Sequence, residues 1–173
     1  MRWRLVPTER RRKEMGEVIA LSNLLRLRGQ WKFFGKKVVF TNGCFDILHR
    51  GHVDYLSKAK SLGDILVVGL NDDGSVRRLK GSQRPIVEQQ DRADILAALK
   101  SVDFVCLFSE DTPFEIIKAL VPDVLVKGAD WRIDKVVGKD VVESAGGSVK
   151  TIEFLPNRST SNIIAKIVRT VKQ

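Results

Sequence analysis

The fold of this chain is decided by residues 37–70, which read KVVFTNGCFDILHRGHVDYLSKAKSLGDILVVGL. Two short apolar runs, 37–41 and 65–70, flank a stretch at 53–62 in which apolar residues recur at helical spacing. Uninterrupted β-branched runs of this kind are typical of strands that are covered on both faces, as in a parallel sheet. Residues 37–70 therefore predict a strand, a helix and a second, parallel strand joined by a right-handed crossover.

The same alternation continues to the carboxyl terminus. Further strands are predicted at 104–107, 124–127 and 149–152, and further helices at 88–99, 113–121 and 162–171. Thr112 is the expected N-cap of the second of these helices, and Ser161 or Thr160 that of the last. Repeated strand–helix–strand units indicate an α/β fold with a Rossmann-like, doubly wound parallel sheet of about five strands.

The amino-terminal part of the chain has a different pattern. Residues 8–27 carry an apolar stripe at helical spacing and predict one more amphipathic helix, which Arg28-Gly29 would end. Such a stripe usually packs on the domain or on a partner subunit. We therefore expect a basic, helical N-terminal extension over residues 1–35 and an α/β domain over residues 36–173.

The composition is that of a globular protein, because 43% of the 173 residues are hydrophobic and 29% are charged. No apolar run reaches the ~18 residues that span a bilayer, and the N-terminus lacks the apolar segment of a secretory signal. Two cysteines, Cys44 and Cys106, are too few for a disulfide framework. The sequence therefore predicts a cytoplasmic protein without a membrane partner.

The net charge of +9 is unevenly distributed along the chain. Residues 1–37 hold 11 Lys/Arg and 3 Asp/Glu, whereas residues 38–173 hold 19 and 18. A basic arm can bind polyanions, but a charge run is more often a solvated face. Because the rest of the chain is nearly neutral, nucleic-acid binding is not the expected function.

The two histidines of the chain, His49 and His52, follow the first predicted strand with Gly51 between them. Ligands of doubly wound sheets bind beyond the carboxyl ends of the strands, where helix N-termini face bound anions. Two imidazoles there can donate hydrogen bonds to phosphate oxygens, and phosphoryl transfer depends on such donors. A metal site would need more ligands than the nearby Cys44 and Asp46, and a purely structural role for the pair is a further alternative. Cys44 is interpreted as a small buried residue rather than as a nucleophile.

Residues 41–52, TNGCFDILHRGH, resemble the HxGH signature of the cytidylyltransferase-like superfamily. The resemblance covers residues 36–172 and, within the superfamily, points to the adenylyltransferases of heptose biosynthesis. It extends to further segments: LKG at 79–81 with Arg84-Pro85, Asp91-Arg92, EDTP at 110–113, PDVLVKGAD at 122–130 and RSTSNII at 158–164. The chain lacks the G-x-x-x-x-G-K-[ST] and G-x-G-x-x-G patterns, which argues against a P-loop or an NAD-type site.

The resemblance implies that a phosphosugar attacks the α-phosphate of ATP in line and releases pyrophosphate, without a covalent enzyme intermediate. Mg²⁺ would accompany ATP without a protein metal cage. Catalytic roles would fall to His49, His52 and Lys80, the last on a mobile segment. Arg84 and Arg92 would bind substrate, with a salt bridge as the alternative for each. The resemblance gives nucleotide-binding roles to Thr41, Asn42, Gly43, Phe45, Asp46, Gly51, Lys127, Gly128, Asp130, Ser159, Thr160 and Ser161. It also suggests a homodimer.

Some of these assignments have alternatives in the sequence. A cytidylyltransferase that uses CTP and glycerol 3-phosphate or a similar alcohol phosphate is the alternative enzyme, and transfer from GTP also stays open. A nucleotide-responsive protein that binds polyanions through its basic extension is the alternative from another class. Ser159-Thr160-Ser161 would serve equally as an N-cap, and Asp130 as a turn residue. The sequence departs from the family pattern at Arg158 and Ala129, where smaller residues and glycine, respectively, are common.

Overall fold

The structure of the chain, a computed structural model, describes residues 15–171. Six strands form its sheet: β1 Glu17–Val18, β2 Val38–Gly43, β3 Ile65–Asn71, β4 Phe104–Phe108, β5 Val124–Gly128 and β6 Ser148–Ile152. All neighbouring strands are parallel, and their order is β1-β4-β3-β2-β5-β6. From β2 the chain passes to β3 and β4 on one side and then crosses to β5 on the other side of β2. The strand order therefore reverses at β2.

Seven helices of the described part of the chain accompany the sheet: α1 Leu21–Phe33, α2 Arg50–Lys60, α3 Asp73–Lys80, α4 Gln89–Ala97, α5 Phe114–Leu120, α6 Lys139–Ser144 and α7 Thr160–Val171. A 3-10 turn, Ile133–Lys135, lies between β5 and α6. Within residues 15–171, none of the helices combines the length and the apolar character that a bilayer-spanning segment needs.

The core lies in two layers, one on each face of the sheet, because side chains alternate along each strand. On one face α2 and α4 pack on the sheet through Leu56 and Leu96. On the other face α1, α5 and α6 pack through Leu24, Ile117 and Val142. Helix α7 lies outside both layers, and none of its residues is buried. The predicted α/β, doubly wound parallel sheet is therefore confirmed.

The five strands that the sequence predicts are all present, but the sheet has a sixth strand, β1. The helix predicted over residues 8–27 is wrong at residues 15–20, where Glu17 and Val18 pair with β4 instead, and confirmed at residues 21–27, which belong to α1. Residues 8–14 lie outside the described residues. The predicted stop at Arg28-Gly29 is also wrong, since α1 runs on to Phe33. The mid-helix glycine costs about 1 kcal/mol relative to alanine, which packing of α1 on the core offsets. The division of the chain at residue 35 stays a prediction.

Two predicted caps differ in the structure. Helix α5 begins after Pro113, and no side chain caps it, so Thr112 is not its N-cap. The first turn of α7 is capped by Ser159, whose hydroxyl oxygen accepts from the backbone N–H of Asn162 at 3.1 Å. Ser161 and Thr160 are thereby free of the capping role that the sequence predicts for one of them.

Candidate active site

A cavity of about 480 Å³ opens at the carboxyl end of the sheet, where the strand order reverses between β2 and β5. Its floor is formed by residues that end β2 and β3, among them Asn42, Gly43 and Asn71. Helices α2, α3 and α7 bring their termini to its walls through His52, Lys80 and Thr160. This crevice is the place where doubly wound sheets bind their ligands.

The corner after β2 is held by Asp46, whose side chain is almost fully buried. Its carboxylate accepts the backbone N–H of Ile86 at 2.8 Å and that of Val87 at 2.9 Å, and it pairs with the guanidinium of Arg84. These three contacts occupy the carboxylate oxygens of Asp46, which a nucleotide would otherwise contact. Asp46 therefore fixes the loop that carries Arg84 into the cavity.

Arg92 lies behind the same corner and is 1% exposed. Its guanidinium donates to the carbonyl oxygens of Cys44, Asn71 and Val87 and pairs with Asp73 at 2.7 Å. All of these partners belong to the protein, and Arg92 does not line the cavity. The substrate-binding role predicted for Arg92 stays a prediction. The sequence alternative of a salt bridge describes Arg92 better, since it ties the loops after β2 and β3 to the start of α4.

His49 is the N-cap of α2. Its backbone is extended, with φ −145° and ψ 169°, and its Nδ1 accepts the backbone N–H of Gly51 at 3.1 Å. Because Nδ1 is the acceptor, a neutral His49 carries its proton on Nε2, which is then a donor for a ligand. Gly51 is required here, since a Cβ on that residue would lie 2.9 Å from Cε1 of His49.

The two imidazole rings stack with their centroids 3.9 Å apart and their planes 20° apart. Burial, together with a smaller contribution from the neighbouring His49, lowers the pKa of His52 to about 4. Burial also lowers the pKa of His49, with a second contribution from Arg158. Both rings are therefore neutral at pH 7 and act as hydrogen-bond donors rather than as cations. Within the described chain, Nδ1 of His52 is buried without a hydrogen-bond partner.

Lys127, in β5, supplies a cation to the opposite wall of the cavity. Its ammonium group donates to Oδ1 of Asn42 and lies 5.6 Å from the ring centroid of Trp131. Burial lowers the pKa of Lys127 to about 8, although Asp130 and Cys44 oppose this shift. A bound phosphate would favour the charged form of such an amine.

Helix α7 brings its first residues to the cavity next to α2. Thr160 and Ser161 both line it, and the Thr160 hydroxyl donates to the carbonyl oxygen of Ile47 at 3.5 Å. With Ser159 as the cap, the free amides of this helix end lie beside those of α2. Two helix N-termini at one cavity favour an anionic ligand there.

The structure brings most of the predicted site residues together at this cavity. From β2 and the segment that follows it, the lining includes Asn42, Gly43, Phe45, Asp46 and His52. From the remaining elements it includes Lys80, Arg84, Lys127, Asp130, Thr160 and Ser161.

Six predicted residues lie off the lining. They are Thr41, His49, Gly51, Arg92, Gly128 and Ser159. Thr41 is buried and its hydroxyl is 2.7 Å from that of Tyr55. Gly128 is also buried, and a Cβ on it would lie 2.2 Å from the Phe154 ring. His49 and Ser159 instead act at the helix ends that border the cavity.

Several lining residues were not predicted as site residues. Trp131 and Phe154 expose about half of their surface, at 48% and 45%, and both line the cavity. Asn71, the last residue of β3, lines it too, and Asp111-Thr112-Pro113 contributes from the loop before α5. Asp111-Thr112-Pro113 belongs to the family pattern. Trp131 directly follows Asp130, the last residue of the segment 122–130 of that pattern. The signal for these residues was therefore present, whereas Phe154 has none in the sequence.

Comparisons with known proteins agree with this geometry. A profile of the family described as cytidylyltransferase-like matches residues 40–171. The chain is 64% identical over 134 residues to the bifunctional protein HldE of Citrifermentans bemidjiense, an alignment that covers 78% of this chain and 28% of that protein. It is 55% identical over 150 residues to the bifunctional protein HldE of Wolinella succinogenes, covering 87% and 31%. The chain thus spans less than a third of the length of these relatives.

Two solved structures are similar to this chain. The lipopolysaccharide core biosynthesis protein from Thermoplasma volcanium GSS1 is 31% identical with a TM-score of 0.58, covering 70% of this chain and 98% of that one. The pantoate-beta-alanine ligase from Francisella tularensis is 16% identical with a TM-score of 0.54, covering 88% and 80%, and shares the fold. The profile match, the identities and the cavity together place this chain in the cytidylyltransferase-like family of nucleotidyltransferases.

Proposed function

We propose that this chain transfers AMP from ATP to a heptose 1-phosphate and forms ADP-heptose and pyrophosphate. The observation that carries the proposal is the neutral histidine pair at the start of α2, beside a cavity of about 480 Å³. The pair offers donors without titrating near neutral pH. Phosphoryl transfer needs positioned donors of this kind more than it needs covalent chemistry.

In the proposed reaction, an oxygen of the acceptor phosphate forms a bond to the α-phosphorus of ATP. The bond between that phosphorus and the oxygen leading to the β-phosphate breaks, and pyrophosphate leaves with the electron pair. The acceptor oxygen is already anionic, so no general base has to remove a proton. Nε2–H of His49 and the ring of His52 would stabilise the charge that develops on the phosphate oxygens.

Lys80 and Arg84 line the same cavity as His52. Lys80 is the last residue of α3, directly before Gly81 with its φ of +99°, and its side chain is exposed. Arg84 is oriented by Asp46. We assign the acceptor phosphate to Arg84 and the ATP phosphates to Lys80, because a flexible amine can follow charge as it moves.

Mg²⁺ is part of the proposal as a companion of ATP. Among residues 15–171, no group of three or more His, Cys, Asp or Glu is arranged to hold a metal. A magnesium ion bound to phosphates needs only one or two protein carboxylates. Asp130 is exposed and lines the cavity, so it fits that requirement. The carboxylate of Asp46 already accepts the backbone N–H groups of Ile86 and Val87. When bound, the ion would neutralise phosphate charge.

The heptose acceptor is supported by the sequence pattern and by the names of the relatives. The segments at 110–113 and 122–130 resemble those of the heptose adenylyltransferases, and both contribute to the cavity. The similar structure from Thermoplasma volcanium is named for lipopolysaccharide core biosynthesis. The proposal includes a cytoplasmic location, where ATP is available, and a homodimer.

A substrate panel tests the proposal. The purified chain is incubated with ATP, CTP or GTP and with heptose 1-phosphate of either anomer or glycerol 3-phosphate, and pyrophosphate release is followed. We expect release with ATP and one heptose anomer to exceed every other combination. A preference for CTP with glycerol 3-phosphate would replace the proposed reaction by the alternative enzyme. Turnover that persists in His52→Asn would show that His52 does not act in catalysis.

A further inference from the structure

Arg158 lies immediately before α7 and next to the histidine pair. A Cβ added at Gly51 would lie 3.1 Å from Cβ of Arg158 and 2.9 Å from Cε1 of His49, so both residues border one point. The Arg158 side chain is exposed, and within residues 15–171 it makes no hydrogen bond or ion pair with the protein. A guanidinium without a protein partner is therefore placed beside a functional imidazole.

The distribution of charge around the site leaves a role for this group. The neutral imidazoles donate hydrogen bonds but bring no positive charge to that side of the cavity. The cations on the lining, Lys80, Arg84 and Lys127, belong to α3, the loop after it and β5. On the side where α2 and α7 begin, Arg158 is a side-chain cation that acts electrostatically on His49.

The position of Arg158 relative to the cavity also indicates which part of a ligand it would meet. His52 and Thr160 line the cavity, whereas His49, stacked on His52, and the exposed Arg158, two residues before Thr160, do not. The reacting α-phosphate has to be inside, where the acceptor is. The two outer phosphates have to reach solvent when they leave, so they would extend towards the opening of the cavity.

We propose that Arg158 binds the β- and γ-phosphates of the nucleotide and stabilises the departing pyrophosphate. This inference rests on the proposed function, since it assumes a triphosphate in the cavity. A guanidinium can form two parallel hydrogen bonds with a phosphate, in addition to its charge. Its attraction grows as the bond to the β-phosphate oxygen breaks and negative charge accumulates on pyrophosphate.

The test uses binding rather than turnover. Dissociation constants for inorganic pyrophosphate, ATP and AMP are measured by calorimetry for the wild-type chain, Arg158→Gln and Arg158→Lys. The matched control is Arg169→Gln, which removes the same charge from the exposed part of α7. Thermal midpoints establish that all four proteins are folded.

We expect Arg158→Gln to weaken pyrophosphate and ATP binding about tenfold or more, as for a hydrogen bond to a charged group. AMP binding should stay within about twofold of wild type, since AMP lacks the outer phosphates. Arg158→Lys should recover part of the loss, because it keeps the charge without the planar fork. Arg169→Gln should bind all three ligands as wild type does.

Two results would overturn the inference. One is unchanged pyrophosphate affinity in Arg158→Gln, and the other is an equal loss for AMP and pyrophosphate. The proposed function fails separately, if the wild-type chain releases no pyrophosphate with any combination in the substrate panel. If the wild-type enzyme is active and Arg158→Gln leaves the affinity for pyrophosphate unchanged, this inference is wrong and the proposed function stands.

Discussion

His49 combines two tasks in one side chain. Its Nδ1 accepts the Gly51 N–H and so caps α2, and this contact directs the proton to Nε2, to which the proposed function assigns the hydrogen bond to a phosphate. The ring orientation is further fixed by stacking on His52. The cap and the donor are therefore coupled, and a substitution can separate them.

We predict that His49→Ala and His49→Asn differ in stability but not in activity. Alanine removes the cap and should cost about 1 kcal/mol, whereas asparagine is a favourable N-cap residue and should restore most of that loss. Both variants lack the Nε2–H donor, and both should lose about 10²- to 10³-fold in turnover. Urea unfolding gives the first quantity and pyrophosphate release the second. Near-normal turnover in His49→Asn would show that the cap alone is what the reaction needs.

At the scale of single residues, the sequence predicts chemistry better than it predicts burial. The spacing of His49 and His52 and the glycine between them are visible in the chain, and the structure brings that segment to the cavity. Arg84 and Arg92 look equivalent in the sequence, yet one lines the cavity and the other is 1% exposed. The difference depends on which side of α4 faces the sheet, which no local pattern around an arginine reveals.

At the scale of elements, long apolar strands are predicted well and short elements are missed. Strand β1 has two residues, and it exists because the sheet edge at β4 offers it hydrogen-bond partners. Helix α3 did have a local signal, since Asp72 caps it by accepting the N–H of Ser75 at 2.6 Å. Helix α6 has only six residues, too few for a period to show. These elements are stabilised by tertiary contacts that sequence periodicity does not contain.

Arg92, in α4, joins the segment after β2 to the end of β3 and the start of α3, and we predict that Arg92→Met destabilises the chain strongly. The substitution leaves Asp73 without its partner and three carbonyl oxygens without their donor, and should cost about 3–5 kcal/mol in the free energy of unfolding. The control is Arg78→Met, which breaks the exposed ion pair with Asp111 and should cost less than about 1 kcal/mol. Urea denaturation of both variants gives the comparison. Equal small losses would mean that the buried network contributes little.

At the scale of the whole molecule, the basic N-terminal segment and the sheet are less separate than the charge pattern suggests. Ile19 and Leu24 are buried in the same layer as α5 and α6. Removing residues 1–30 to test polyanion binding would therefore also remove β1 and part of the core. Residues 1–14 can be removed without deleting any described element, which makes their deletion the cleaner test of the basic arm.

Global stability should also report the state of the histidine pair. The folded chain holds the pKa of His52 near 4, whereas the unfolded chain has the ordinary value of about 6.5. Between these values the unfolded chain binds more protons, so this residue's contribution is complete above pH 6.5 and is lost as the pH falls towards 4. We expect the stability difference between wild type and His52→Asn to shrink by up to roughly 3 kcal/mol over that interval. The acidic residues titrate in both proteins, so the difference isolates His52. Urea unfolding at half-unit pH steps measures it, and parallel curves for the two proteins would mean that His52 titrates as freely in the fold as in the unfolded chain.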